Sequence, residues 1–236
     1  TRELCARAGK VVAVEIDKHL MPALTDNLKD FDNIDIINGD ILKVDIRKDI
    51  LEKYVATGAF KPGCFKVVAN LPYYITTPII MKLLEDEYGI NLMVFMVQKE
   101  VADRMVAAPG GKDYGSLSVA VQYYSMAEKV FDVPPHCFIP QPDVYSSVVR
   151  LRVHEDPPVK VNDRAAFFKT VKAAFGQRRK TLLNALYNSG YFAKDKEQIR
   201  EILKSKGLDE NQRGETLTIE QFADLSNALE KNRHTN

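Results

Sequence analysis

Short apolar runs separated by stretches of helical spacing constrain the fold of this chain more than any other feature. The runs fall at 10–16 (KVVAVEI), 34–38 (IDIIN), 65–69 (FKVVA) and 92–97 (LMVFMV). Runs of this length, rich in β-branched residues, suit strands buried on both faces. Helical patterns occupy 18–28, 78–87 and 100–107, and residues 116–125 read as helical or irregular. Two further strands are predicted at 128–133 and 147–153. Strands alternating with helices predict an α/β fold with a mostly parallel sheet covered on both faces. Ligands of such sheets bind outside the carboxyl ends of the strands. Glu15, Asp40 and Asn70 each stand at or just past the end of a successive strand. The expectation is three polar groups on one edge of the sheet.

The pattern changes at Asp156-Pro157-Pro158, since paired prolines continue neither strand nor helix. Beyond it four helices are predicted, at 163–175, 177–189, 196–206 and 219–231. Two domains are expected, 1–156 carrying the sheet and 157–236 wholly helical. Charge divides in the same way. Residues 150–236 hold 17 Lys and Arg against 12 Asp and Glu, whereas 1–149 hold 16 against 20. A basic C-terminal part suits a polyanionic partner. The odd, scattered cysteines Cys5, Cys64 and Cys137 argue for a reducing compartment and against disulfides. The histidines His19, His136, His154 and His234 are equally dispersed, so no metal site is expected. No stretch approaches the roughly 18 apolar residues of a membrane span, and a cytoplasmic location is expected.

The most specific string is Val67-Val-Ala-Asn-Leu-Pro-Tyr-Tyr74. Asn70 offers a carboxamide oxygen as acceptor. Pro72 restricts its own φ and the residue before it, which gives neighbouring carbonyls fixed directions. Tyr73 or Tyr74 can present a ring face to a planar ligand. The set suits a flat ring with an exocyclic amino group, its two N–H bonds accepted by the amide oxygen and a backbone carbonyl. The plainer reading is a strand, a proline turn and a buried tyrosine.

Other strings admit two readings each. Glu15 follows a strand where an acid can accept from ribose hydroxyls; otherwise it is an exposed acid near a helix that Asp17 caps. Asp40 could accept from an adenine amino group with Ile41 on the ring, or simply serve a turn. The stiff segment 138–150 (FIPQPDVYSSVVR) could place Phe138 as a second ring over a base, or as core. Arg178, Arg179 and Lys180 stand at a predicted helix start, fan over more than one helix face, and suit phosphates.

Taken together, these strings resemble the ribosomal RNA adenine N6,N6-dimethyltransferases. The resemblance rests on VVAVEID (11–17), NGDIL (38–42), VVANLPYYIT (67–76), VQKEVADRM (97–105), YGSLSV (114–119), FIPQPDVYSSVVRL (138–151), FGQRRKTLLNAL (175–186) and RGETLTIEQF (213–222). The C-terminal strings are closer to the bacterial small-subunit enzyme than to large-subunit resistance enzymes. The resemblance implies a Rossmann-like S-adenosylmethionine-dependent methyltransferase sheet plus a small all-α C-terminal domain that binds RNA. S-adenosylmethionine would be the methyl donor, held by Glu15, Asp40, Ile41 and Asn70. Asn70, Leu71, Pro72, Tyr73 and Phe138 would receive the target adenine, and Arg178, Arg179 and Lys180 the RNA. The implied substrate is two adjacent adenines in a terminal hairpin loop of 16S ribosomal RNA, within a pre-30S-like particle, modified by a monomer. The family's first strand and Gly-rich loop have no counterpart here, which implies an N-terminally truncated chain that binds cofactor weakly or not at all. The alternatives are an RNA-binding assembly factor with dispensable catalysis, or an adenine methyltransferase of large-subunit RNA or DNA.

Overall fold

Val11, Val12 and Val14 lie in a strand, as their branching favours. In the computed structural model, which describes residues 1–61, 63–192 and 195–231, β1 spans Val11–Glu15. It pairs in parallel with β2, Ile34–Asn38, from Val11 opposite Ile34 to Glu15 opposite Asn38. The chain forms two compact units, one of residues 1–68 and 72–93, the other of 69–71 and 94–236.

In the first unit, α1 (Arg2–Cys5) precedes β1. A single 3-10 turn, Lys18–Leu20, leads into α2 (Met21–Leu28), whose Pro22 stands in the first turn, where a missing N–H costs nothing. A wide turn, Ile46–Glu52, capped by Asp45, runs into α3 (Lys53–Ala56). There Tyr54 is buried and donates its hydroxyl to Asp35 at 2.5 Å, while Lys10 Nζ lies 2.9 Å from the same carboxylate. The Lys10 ammonium and the Tyr54 hydroxyl hold the Asp35 carboxyl below its ordinary value of 3.8. α4 (Thr76–Glu85) buries Ile79, Ile80, Leu83 and Leu84, an amphipathic stripe. Its Thr76 hydroxyl donates to the Pro72 carbonyl at 3.0 Å, which anchors the start of the helix.

The remaining strands are β3 (Phe65–Asn70), β4 (Ile90–Gln98), β5 (Ser125–Val133) and β6 (Ser146–Val153), in the sheet order β3-β4-β6-β5. β5 and β6 are antiparallel. Met93, Phe95 and Val97 alternate along β4 and are fully buried, as are Val149 and Leu151 on β6. α5 (Lys99–Met105) and α6 (Ser116–Tyr124) lie between β4 and β5. After an irregular segment around Asp156 come α7 (Arg164–Gly176), α8 (Leu182–Asn188), α9 (Lys196–Ser205) and α10 (Ile219–Lys231). Asp163, Thr181 and Asp195 cap the first three of these through their side chains. Tyr123 and Tyr124 of α6 pack with Phe167 and Phe168 of α7, ring centroids 5.0 to 5.6 Å apart. Gly214 passes so close to α7 that a Cβ there would meet the Ala174 carbonyl oxygen at 2.8 Å.

The α/β class and the helical C-terminal part agree with the sequence reading, with two corrections. The strands lie in two sheets rather than one, because β1 pairs only with β2 and β3 only with β4 among the described residues. The helix expected over 177–189 begins at Leu182, because Thr181 caps it and residues 177–180 form a turn.

Candidate active site

The parallel pairing of β1 and β2 brings two predicted carboxylates to the same end of one strand pair. Glu15 closes β1 opposite Asn38, and Asp40 follows two residues later. The junction is stitched by Gly39 N–H donating to the Glu15 carbonyl at 2.9 Å and by Asn38 Nδ2 donating to the same oxygen at 2.8 Å. Each carboxylate is oriented by one internal N–H: Asp17 N donates to Glu15 Oε1 at 2.8 Å, and Leu42 N donates to Asp40 Oδ1 at 3.0 Å. Lys43 Nζ is 3.9 Å from Asp40 Oδ2, at the outer limit of an ion pair. Each acid therefore keeps one oxygen for an external donor, an arrangement that fits ribose hydroxyls at Glu15 and an amino group at Asp40. Asp17, the competing candidate for the helix cap, does accept from His19 N, so capping does not need Glu15.

Sequence reasoning missed Lys82. Its ammonium, on α4, donates to the carbonyls of Ile41, Leu42 and Val44 at 3.0, 2.9 and 2.9 Å. Three donors thus meet three acceptors, and the turn that carries Asp40 and Ile41 is fixed. A lysine in an amphipathic helix reads as solvent-facing, and no local signal distinguishes this one.

The second unit contains Asn70 and Leu71. Asn70 ends β3 with its side chain exposed and no hydrogen bond to the described residues. Leu71 is buried, and its N–H donates to the Met96 carbonyl of β4 at 3.1 Å. Pro72 takes φ −59° and ψ 133°, so the chain turns directly after Leu71. Tyr73 is half-buried and Tyr74 is 83% exposed, both within a 3-10 turn. Phe138, half-buried, follows the short turn Pro135–Cys137 in the connection between β5 and β6. The far end of that connection returns to β4's exit, where Lys99 N–H donates to the Tyr145 carbonyl at 2.9 Å. Leu71 and Tyr145 are therefore both tied to the short stretch 96–99.

The basic triplet requires correction. Arg178, Arg179 and Lys180 occupy the turn between α7 and α8 and do not fan over a helix. Arg178 Nη2 donates to the carbonyls of Lys112 at 2.7 Å and Tyr114 at 3.4 Å, and its Nε lies 3.8 Å from Glu215 Oε2. Arg179 and Lys180 are exposed and make no ion pair with the described residues. No three His, Cys, Asp or Glu side chains converge among the described residues, and His234 lies outside them.

The chain is an α/β protein with carboxylates at the carboxyl end of one parallel strand pair and an Asn-Leu-Pro turn ending a further strand. Its fold is that of a dimethyladenosine transferase from Plasmodium falciparum, with a TM-score of 0.74 at 23% identity over 98% of this chain and 85% of that one. It is also similar to the 23S rRNA methyltransferase ErmE, with a TM-score of 0.66 at 25% identity over 97% and 85%. The chain belongs to the ribosomal RNA adenine dimethylase family, a family of enzymes whose model matches residues 1–231. Among its relatives is the ribosomal RNA small subunit methyltransferase A of Clostridioides difficile (strain 630), 55% identical over 97% of this chain and 76% of the relative. That of Geobacillus sp. (strain WCH70) is 56% identical over 98% and 78%.

Proposed function

We propose that this chain transfers methyl groups from S-adenosylmethionine to N6 of two adjacent adenines in a terminal hairpin loop of 16S ribosomal RNA, within a partly assembled small subunit. The observation that carries the reading is the exposed carboxamide of Asn70, with no hydrogen bond to the described residues, directly before a leucine anchored by its N–H and its buried side chain. The family and its small-subunit relatives support the same substrate.

An adenine amino nitrogen is a weak nucleophile because its lone pair is delocalised into the ring. Asn70 Oδ1 and the Leu71 carbonyl accept its two hydrogens, favour a pyramidal nitrogen and release the lone pair. Tyr73 stacks on the base and Phe138 forms the second wall. Stacking of this kind contributes about 1–3 kcal/mol, which offsets the cost of pulling the base from its stack. Glu15 accepts from ribose hydroxyls and Asp40 from the cofactor's adenine amino group, with Ile41 against that ring. When bound, S-adenosylmethionine supplies an electrophilic methyl on a positively charged sulfur. The protein's share is alignment and electrostatic preorganisation. Asn70 is neutral and no base, so the proton passes to water. Residues 1–156 serve as the catalytic domain and 157–236 as the RNA-binding domain of a cytoplasmic monomer, with Arg179 and Lys180 on phosphates and Arg178 beside them.

The test is transfer of labelled methyl to under-methylated small ribosomal subunits, with large-subunit RNA and duplex DNA as competitors. Label recovered as N6,N6-dimethyladenine from small-subunit RNA is the expected result. Label only on a competitor, or RNA binding without any transfer, would overturn it in favour of another adenine methyltransferase or an assembly factor.

A further inference from the structure

The connection between β5 and β6 carries Phe138, and its mouth is closed by four charged side chains and a serine. Lys99 Nζ lies 2.8 Å from Asp132 Oδ2 and 3.6 Å from Asp103 Oδ2. Lys129 Nζ lies 2.6 Å from Asp103 Oδ1 and 3.7 Å from Asp132 Oδ1. Positive and negative charges thus alternate around a closed ring with no net charge. Ser147 Oγ donates to Asp132 Oδ1 at 2.7 Å, and Ser147 is Asp132's register partner across the hairpin. All four charged groups are only partly exposed, at 29 to 39%.

The backbone is shaped to make the ring possible. Lys129 and Asp132 are three residues apart, and in a regular strand they would face opposite sides. The register shifts between Lys129 and Phe131, so that Val130 is the extra residue of a β-bulge. Lys129 then stands opposite Val149 and Asp132 opposite Ser147, two residues apart on β6 and hence on one face. Lys99 adds a second tie, since its own N–H holds the Tyr145 carbonyl at the other end of the connection. One residue at the start of α5 therefore grips both ends of the segment 133–145.

We propose that the Lys99–Asp132 pair, with Lys129, Asp103 and Ser147, is a positioning network for the RNA substrate: it sets the Phe138 loop at the place where a flipped adenine is stacked. The proposal rests on the reading of Phe138 as the second wall of the base pocket. Lys99 and Asp132 are bonded to each other and to Asp103, Lys129 and Ser147, and their assigned role is positioning. They act by holding the loop at both ends, and the ring's neutrality gives them no part in general attraction of RNA.

The test uses an RNA hairpin with 2-aminopurine at the target adenine, whose fluorescence is quenched on stacking, together with steady-state kinetics on small subunits. The variants are Phe138→Ala, Lys99→Met, Lys99→Arg and Asp132→Asn, each checked by thermal melting. Lys99→Met and Asp132→Asn should weaken the quench. They should also lower kcat/KM for RNA by about 10- to 100-fold, the scale of a small misplacement, with S-adenosylhomocysteine affinity unchanged. Lys99→Arg, which keeps the charge, should recover most of the quench. A quench and KM unmoved in Lys99→Met, with Phe138→Ala impaired, would overturn the network's role and leave the pocket reading intact. Equal quenching in the wild type and in Phe138→Ala would remove the pocket reading and the proposal together. Should Lys99→Met fail to fold, Asp132→Asn decides by the same readouts.

Discussion

Lys82 and Asn70 show how differently two polar side chains can be committed. Asn70 is exposed, free of hydrogen bonds to the described residues, and available to a ligand. Asn70→Ala should therefore abolish methyl transfer while leaving RNA affinity within about twofold, since one neutral group carries little of a charge-driven affinity; transfer assays beside filter-binding titrations would show it. Lys82 is committed to the carbonyls of Ile41, Leu42 and Val44. A hydrogen bond to a charged group contributes about 1.5–3 kcal/mol, and Lys82→Met leaves three carbonyls without this donor. Urea denaturation should show a loss of about 2 kcal/mol, and calorimetry with S-adenosylhomocysteine a weaker affinity, because the Asp40 turn loses its anchor. Unchanged affinity in a destabilised variant would confine Lys82 to folding.

At the scale of elements, strands were the most legible part of the sequence. The run 34–38 coincides with β2, and β1 and β3 differ from the predicted runs only at their ends. A buried strand is written locally, in branched residues that pack on both faces. The bulge at Val130 and the turn at 177–180 were not legible, because each depends on a partner elsewhere: β6 for the bulge, Lys112 and Tyr114 for Arg178. Chain-distant pairing also makes Asp35 more than a surface acid on β2. Lys10 and Tyr54 favour its ionised form, so its folded pKa lies below the 3.8 of the unfolded chain. Between those values the unfolded state binds more protons, so stability rises with pH there. The contribution is complete above about 3.8 and disappears as pH falls through the folded value. Asp35→Asn should flatten the acid limb of a stability–pH profile below about pH 4 and change its slope little near neutrality. An unaltered acid limb would show that Asp35 is not coupled to folding.

For the molecule as a whole, the sequence marked the strand ends but not which strands pair. Strand ends announce Glu15, Asp40 and Asn70, yet nothing local foretells that β1 and β2 form a sheet apart from β3, since strand partners are chosen over long range. The surplus of basic residues in 150–236 was visible as well, but composition does not separate a lysine that meets RNA from an arginine that holds a loop. Within one triplet the structure separates a tethered arginine from two exposed neighbours. Arg178 reaches two carbonyls and Glu215, so Arg178→Ala should lower stability by about 1 kcal/mol. Arg179 and Lys180 are exposed without ion pairs to the described residues, so replacing both with Ala should leave the melting temperature unchanged. If each neutralises one phosphate, the double variant releases two fewer counterions on binding. The slope of log affinity against log salt then falls by roughly 0.7–0.9 for each phosphate left unneutralised. Titrations of a small-subunit RNA hairpin across a salt series would measure it. A slope unchanged in Arg179→Ala/Lys180→Ala but reduced in Arg178→Ala would reverse the assignment and make the tethered arginine the residue that meets RNA.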